Sequence, residues 1–327
     1  MNFKKIILII ILLAIIVGAG FFMLKGRSKK QEANNDKIKV VSSNSASYDF
    51  LRAIIGDNDN VELTFLLGPG KDAHSYDPTA QDLITIQNAD IFVYIGGEME
   101  KWSDKVLEAV GDKKSKIICI ADDIDTIEEK EVDGAEEEEE HEHEEEHEEG
   151  AFDEHIWTSP KNAIKMVEVL EKTMEEIDNN NAEKYKKNSE KYIAEIKNID
   201  KQIQNIVDNK KRYRLVFGDK MPMQYFIDYY NLKVSAAFNG CSTETEPSAS
   251  TIAYLEKKVK EENIPVVLYV ELNPGRVAKT IATEVGNGCE AMQIQALHNI
   301  TLDDFKNGET WVSLMTRNLE VLKKALQ

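Results

Sequence analysis

Cysteine is nearly absent: three residues in 327, and no CxxC pair, which excludes a cysteine-built zinc knuckle. No HExxH occurs either, so the helix-borne signature of zinc hydrolases is missing. Bases are outnumbered by acids, 40 to 59, and no basic patch stands out, so nucleic acid is not an expected partner. The formal charge of −19 misleads as a global figure. Segment 136–149 holds eleven glutamates and no base, and without it the chain carries only −8. Cys119 lies in an apolar run and is expected inside a buried strand. Cys241 and Cys289 leave one disulfide open outside the cytoplasm, because sequence does not place their Cα atoms.

The histidines are few but unevenly spent. Of six, His141, His143 and His147 sit in the glutamate run 136–149, while His74, His155 and His298 stand singly and far apart. Imidazole is a borderline-soft nitrogen donor suited to zinc and its neighbours. A Glu/His tract gathers such donors in a self-repelling, low-complexity loop. The distribution points to a transition metal that is captured and passed on. The competing reading of the tract is a solubilising spacer, and of a single loop histidine, a hydrogen-bonded surface residue.

The N-terminus carries a strong signal. Residues 6–24 form nineteen positions without charge, preceded by Lys4-Lys5 and followed by Lys25, Arg27, Lys29 and Lys30. At about 1.5 Å per residue this run nearly matches a hydrocarbon core of about 30 Å. Signal-peptide cores are usually shorter, although the small residues Val17-Gly18-Ala19 leave cleavage open. No cysteine lies near enough to be lipidated. Segment 1–30 is therefore expected to be a membrane anchor or a cleaved signal, 31–37 a tether, and the body extracytoplasmic.

Beyond the tether, strand-like and helix-like runs alternate. Short apolar, β-branched stretches at 38–42, 61–67, 91–95 and 117–120 read as buried strands, with helical spacing at 48–55, 79–87 and 102–110. The second half repeats the scheme, with strands at 215–217, 234–238, 266–270 and 292–296 and helices at 251–260, 276–285 and 309–326. Such alternation predicts α/β architecture: two similar lobes, each a four-stranded mainly parallel sheet with helices. Between them a helix opens at Pro160-Lys161-Asn162 and breaks at 178–181. Apolar residues then recur from Tyr185 to Ile206 on one face of a second helix, roughly 40 Å long. The expected division is a lobe over 38–182 with an acidic loop at 130–151, a rigid connecting helix over 183–209, and a lobe over 210–327.

His74 and His298 each follow an expected strand, the end at which open α/β sheets place their sites, and His155 directly precedes a helix start. Convergence between the lobes follows as an expectation. Asp153 and Glu154 flank His155, where they either hydrogen-bond an imidazole or are simply solvated. Trp157 is expected to serve packing.

Resemblance sharpens the picture. Gly68-Pro69-Gly70-Lys71-Asp72-Ala73-His74-Ser75-Tyr76-Asp77-Pro78, with Asp82-Leu83, resembles the first ligand motif of the solute-binding proteins of bacterial zinc/manganese (cluster A-I) ABC importers. The segment from Ala89 through Gly96-Gly97 to Trp102 resembles the next one. Asp153-Glu154-His155-Ile156-Trp157-Thr158-Ser159-Pro160 resembles the second ligand motif. Zinc-type members carry a His-rich acidic loop where 136–149 stands here. Glu246-Pro247-Ser248 and the terminal Asn318 to Leu326 stretch are also similar, so the likeness covers nearly everything after residue 37. It implies two lobes joined by one long helix, with Zn2+ held between them and delivered to an ABC permease in the membrane. It implies no enzyme and a monomer.

On that resemblance His74 and His155 are metal ligands, and His298 stands where many relatives have aspartate. Imidazole in place of carboxylate favours zinc over manganese. The third ligand position departs from the pattern. Counting five residues back from Tyr225-Phe226 gives Lys220, which as an ammonium does not ligate a cation. Asp219 is then the tentative fourth donor, with Glu244, Cys241 or water as alternatives. The tract histidines His141, His143 and His147 are expected to collect metal secondarily. Other readings left open are a manganese or iron importer component, a zinc-dependent hydrolase using an open coordination position, and a surface adhesin.

Overall fold

In the computed structural model, which describes residues 37–71, 73–110, 115–135, 152–240 and 246–327, every apolar β-branched run named above forms a strand. Segment 1–30 lies outside the described residues, as do His141, His143, His147, Cys241 and Glu244. Among the described residues no helix is long and apolar enough to cross a membrane.

Strands Ile38–Ser42 (β1), Val61–Phe65 (β2), Ile91–Tyr94 (β3) and Lys116–Cys119 (β4) form one sheet in the order β2-β1-β3-β4. Arg214–Phe217 (β5), Lys233–Ala236 (β6), Val266–Val270 (β7) and Glu290–Ile294 (β8) form a second, in the order β6-β5-β7-β8. Every pairing is parallel, and the second order repeats the first. In both sheets the order reverses beside the first strand, so loops at the carboxyl ends border a crevice at a topological switch point.

The helices between strands start where their capping chemistry allows. Asn44 accepts the Ser47 N–H at 2.9 Å to open Ser45–Ile55 (α1). Thr79 and Asp82 form a reciprocal capping box for Ala80–Gln87 (α2). Trp102–Val110 (α3) completes the first half. Pro160 occupies the first turn of Pro160–Ile177 (α4), where its missing N–H costs nothing. After a 3₁₀ turn at Asn179–Asn181 comes Ala182–Asp208 (α5), 27 residues long. Its inward face, Tyr185, Ser189, Tyr192, Ile196, Ile199, Ile203, Ile206 and Val207, is the apolar stripe that sequence spacing anticipated.

The second half adds Gln224–Tyr229 (α6), Ala249–Glu261 (α7), Arg276–Val285 (α8), Leu302–Lys306 (α9) and Trp311–Leu326 (α10). Helix α5 packs on α4 and α1 from the first half and on α10 from the last. A continuous core consequently joins Val40 and Ile91 of one sheet to Leu215, Phe217, Leu268 and Ile294 of the other. Residues Ile38–Gln327 form one compact unit.

Several expectations shift. Strand β8 begins two residues early, at Glu290, because it is a sheet edge whose ladder with β7 runs from Val266–Glu290 to Val270–Ile294 and tolerates polar residues. Cys119 is half-buried rather than interior, since β4 is also an edge. Cys289 carries a free thiol. Helices α6 and α9 are too short to show periodicity. Residues 130–133, read by position with the first lobe, also hydrogen-bond to the second half. Lys130 N–H donates to Gln224 at 2.9 Å, Val132 N–H to Asn239 at 2.8 Å, and the Arg214 guanidinium to Asp133 at 2.8 Å.

Asp49 is the polar knot under α5. Its buried carboxylate accepts the Tyr192 hydroxyl of α5, the Trp311 N–H that opens α10 at 2.7 Å, and Arg52 at 2.5 Å. Replacing it strands a buried N–H and a hydroxyl. Asp49→Ala is expected to lower unfolding stability by about 3 kcal/mol, seen as a reduced urea midpoint. A loss below about 1 kcal/mol contradicts the assigned role.

Candidate metal centre

Three loops supply the centre. The first leaves β2 through Gly68-Pro69-Gly70, with both glycines in the left-handed region at φ +73° and +77°, and turns to present a half-buried His74. The second follows Phe152, which bridges back to Glu128, and enters the 3₁₀ turn Ile156–Thr158 with His155 almost wholly buried. The third leaves β8 at Ile294 and carries His298.

The three imidazoles meet. Ring centroids lie 6.1 Å apart for His74 and His155, 5.0 Å for His74 and His298, and 5.4 Å for His155 and His298. One nitrogen from each falls within 4.8 Å of the others. Tetrahedral zinc at about 2.0–2.1 Å from each nitrogen needs them about 3.4 Å apart. Closing inward by roughly an ångström completes the fit, a movement within side-chain freedom.

The His155 ring is oriented from behind. Asp153 Oδ1 accepts the His155 backbone N–H at 2.7 Å and faces its Nδ1 at 2.9 Å. A carboxylate oxygen there makes Nδ1 the protonated nitrogen and leaves the Nε2 lone pair for a cation. Glu154 does something else: its carboxylate accepts the Met99 N–H at 2.9 Å and fills the space beside Gly97, where a Cβ would collide with it. Nearby, Glu100 is buried and accepts the N–H groups of Ile95 at 2.6 Å and Gly96 at 3.0 Å. Burial pushes its pKa up to about 7. The pKa of His298 is held well below the usual imidazole value, first by burial and then by His155, His74 and Lys220. It is therefore neutral at pH 7, the form that binds metal.

Asp219 is not among the side chains whose donor atoms gather at this point. It follows β5 and is buried; burial raises its pKa, opposed by the N–H groups of Lys220 and Val270 and by the Lys220 charge. Its Oδ2 is buried without a hydrogen-bond partner among the described residues. The alternatives Glu244 and Cys241 lie outside the described residues.

Sequence reasoning did not single out the residues that hold the third loop. Asn318 of α10 donates to the Gln295 carbonyl and accepts its N–H, both at 2.8 Å. Glu271, just past β7 and buried, accepts Ala296 N–H at 2.8 Å and His298 N–H at 2.7 Å. Leu297 between them has φ +61°, a left-handed conformation costing a non-glycine residue about 1–2 kcal/mol. Trp157 is more than packing. Its indole N–H donates to the Ala296 carbonyl at 3.0 Å while its ring meets His155 edge-on at 5.5 Å. Asn299 reaches the carbonyls of Gly68 and Lys71, and Ile300 accepts the Gly70 N–H at 2.8 Å. The one signal Glu271 carries in the sequence is its place as a single acidic residue at the carboxyl end of an apolar strand.

Comparison with known proteins agrees with this architecture. The family model described as "Zinc-uptake complex component A periplasmic" (ZnuA) matches residues 40–325. The chain belongs to this family. It is 32% identical over 90% of its length to the high-affinity zinc uptake system protein ZnuA of Bacillus subtilis, spanning 89% of that protein. It is equally 32% identical to the zinc-binding lipoprotein AdcA of Streptococcus pneumoniae, but spans only 57% of that longer chain. The crystal structure of the Zn(II)-bound ZnuA-like domain of that AdcA superposes with a TM-score of 0.71 at 28% identity, covering 88% of this chain and 98% of that one.

Asp153→Asn is expected to weaken metal binding by about 10–100-fold, because the amide no longer selects the Nε2-acceptor tautomer of His155. Chelator-competition titration with zinc checks this, and affinity within twofold of wild type refutes it.

Proposed function

We propose that this chain is the extracytoplasmic zinc-binding component of an ABC importer, capturing Zn2+ between two lobes and handing it to a membrane permease. The observation that carries the reading is the meeting of His74, His155 and His298 from both halves of the chain with their donor atoms within 4.8 Å. Membership in a family described by zinc uptake, and zinc named in the relatives above, support the choice of metal. The lobes are read as 38–182 and 210–327, joined by the helix over 183–209. The ligands are His74, His155 and His298, with Asp219, Glu244, Cys241 or water completing the shell. Segment 1–30 tethers the protein to the outer face of the membrane or is removed as a signal. His141, His143 and His147 collect zinc weakly at the same surface.

Three neutral imidazoles suit zinc better than manganese, which prefers oxygen donors. Because Lys220 stands where the resemblance implies a third ligand, a three-imidazole site with an open position is the form that a hydrolytic alternative takes. Such chemistry needs a base about 3 Å from a metal-bound water, and turnover of ester or peptide substrates would establish it. The importer reading expects stoichiometric binding without turnover.

His74→Ala and His155→Ala are each expected to weaken tight zinc binding by about a hundredfold or more, about 3 kcal/mol, while deletion of 136–149 leaves the tight site nearly intact. Isothermal titration against a competing chelator decides; the reverse pattern would move the primary site to the tract. Affinity should also fall as pH drops below about 6.5, since protons and metal compete for the same lone pairs. His298, whose pKa is held well below the usual imidazole value by burial and neighbouring charge, is expected to protonate only well below pH 6.5, followed by NMR of its imidazole resonances.

A further inference from the structure

Glu271 lies opposite the mouth of a small anion nest. Backbone N–H groups on either side of a left-handed residue form a concavity that takes an anion, and Ala296-Leu297-His298 has that form, with Leu297 at φ +61°. The anion filling it is a side chain of the protein. One Glu271 oxygen accepts Ala296 N–H at 2.8 Å and the other accepts His298 N–H at 2.7 Å. The carboxylate is buried, and its own backbone is equally constrained, with Leu272 at φ +63°. Neither leucine has a side-chain reason to be left-handed, since Asn and Gly are the residues that adopt this region readily. Converging two amides on one carboxylate supplies that reason at Leu297. The direction of the His298 Cα–Cβ bond follows from that turn.

We propose that Glu271 is a positioning residue that aims the His298 imidazole at the metal by holding the Ala296–His298 turn in its left-handed form. It deepens the zinc-binding reading above and rests on it. Glutamine keeps the size and one acceptor oxygen but brings an amide N–H2 against a backbone N–H, so it opens one side of the clamp. Glycine at 297 removes the penalty of the left-handed turn, so the turn no longer depends as strongly on the carboxylate.

The test uses the full-length chain, with zinc affinity from chelator competition, the visible spectrum of the cobalt(II)-loaded protein, and the melting temperature of the metal-free protein. Glu271→Gln is expected to weaken zinc binding by about 10–100-fold and to change the cobalt ligand-field bands. Adding Leu297→Gly to that variant is expected to recover a measurable part of both. Affinity within twofold of wild type overturns the proposal. So does a loss that leaves the cobalt bands unchanged and is not recovered by Leu297→Gly, because general loosening produces that pattern. Should Glu271→Gln fail to fold, Glu271→Asp, which keeps the charge but shortens the reach, carries the same criteria. If wild type itself fails to bind zinc tightly, the zinc reading and this proposal fall together. If wild type binds and Glu271→Gln does so equally, only this one falls.

Discussion

The centre depends on the hydrogen bonding of one short loop, residues 295–300. Three imidazoles separated by more than two hundred positions of chain cannot be gathered by local propensity. They are gathered because this loop, anchored in the second half by Asn318 and Glu271, also bonds to both histidine loops of the first half. The Trp157 indole reaches its Ala296 carbonyl, Gly70 donates to Ile300, and Asn299 caps the carbonyls of Gly68 and Lys71. Backbone groups in these loops would otherwise be buried without partners, each costing about 1–3 kcal/mol. Satisfying them across the crevice makes the meeting of the rings a consequence of ordinary polar bookkeeping.

Helix α5 sets the scale of motion that this arrangement permits. Its apolar face is shared by α1, α4 and α10, and its Tyr192 hydroxyl joins Trp311 and Arg52 on Asp49. A continuous core of this kind resists wide hinge opening, since interiors are close-packed and separate only at the cost of exposed apolar surface. Small displacements of the histidine loops remain affordable. The gap between 4.8 Å and the roughly 3.4 Å that tetrahedral zinc requires is of that small order.

Much of this was legible in the sequence. The eight strands and the long helix declared themselves because β-branched runs and a 3.6-residue stripe are local signals, and a 27-residue stripe is long enough to be unambiguous. His74, His155 and His298 stood out as isolated imidazoles at loop positions, and their motifs resembled a known family. What stayed hidden was relational. Nothing local in Val-Glu-Leu announces that Glu271 fills a nest twenty-five residues away, and nothing in 130–133 says that it bonds to the other half. Those facts exist only once backbone donors and acceptors from distant segments compete for partners. Asp219 is the complementary case: a carboxylate one residue from the expected place is a good donor by type, and its side chain is not among those whose donor atoms gather with the three imidazoles.

Electrostatics in this protein works at two ranges. Without the tract the body carries −8, and the tract adds eleven more negative charges. At physiological ionic strength such charge acts over about 8 Å, enough to concentrate cations at the surface but not to reach into an enclosed site. At the centre itself the gathered donors are imidazole nitrogens, and the Lys220 charge is felt by His298. Selectivity there has to come from donor softness and geometry rather than from field strength, because a field attracts any divalent ion while three aimed nitrogens favour the borderline-soft ones. A carboxylate acting through two backbone amides, as Glu271 does, fits that division: it adds orientation behind the ring without adding an oxygen that a hard cation could use.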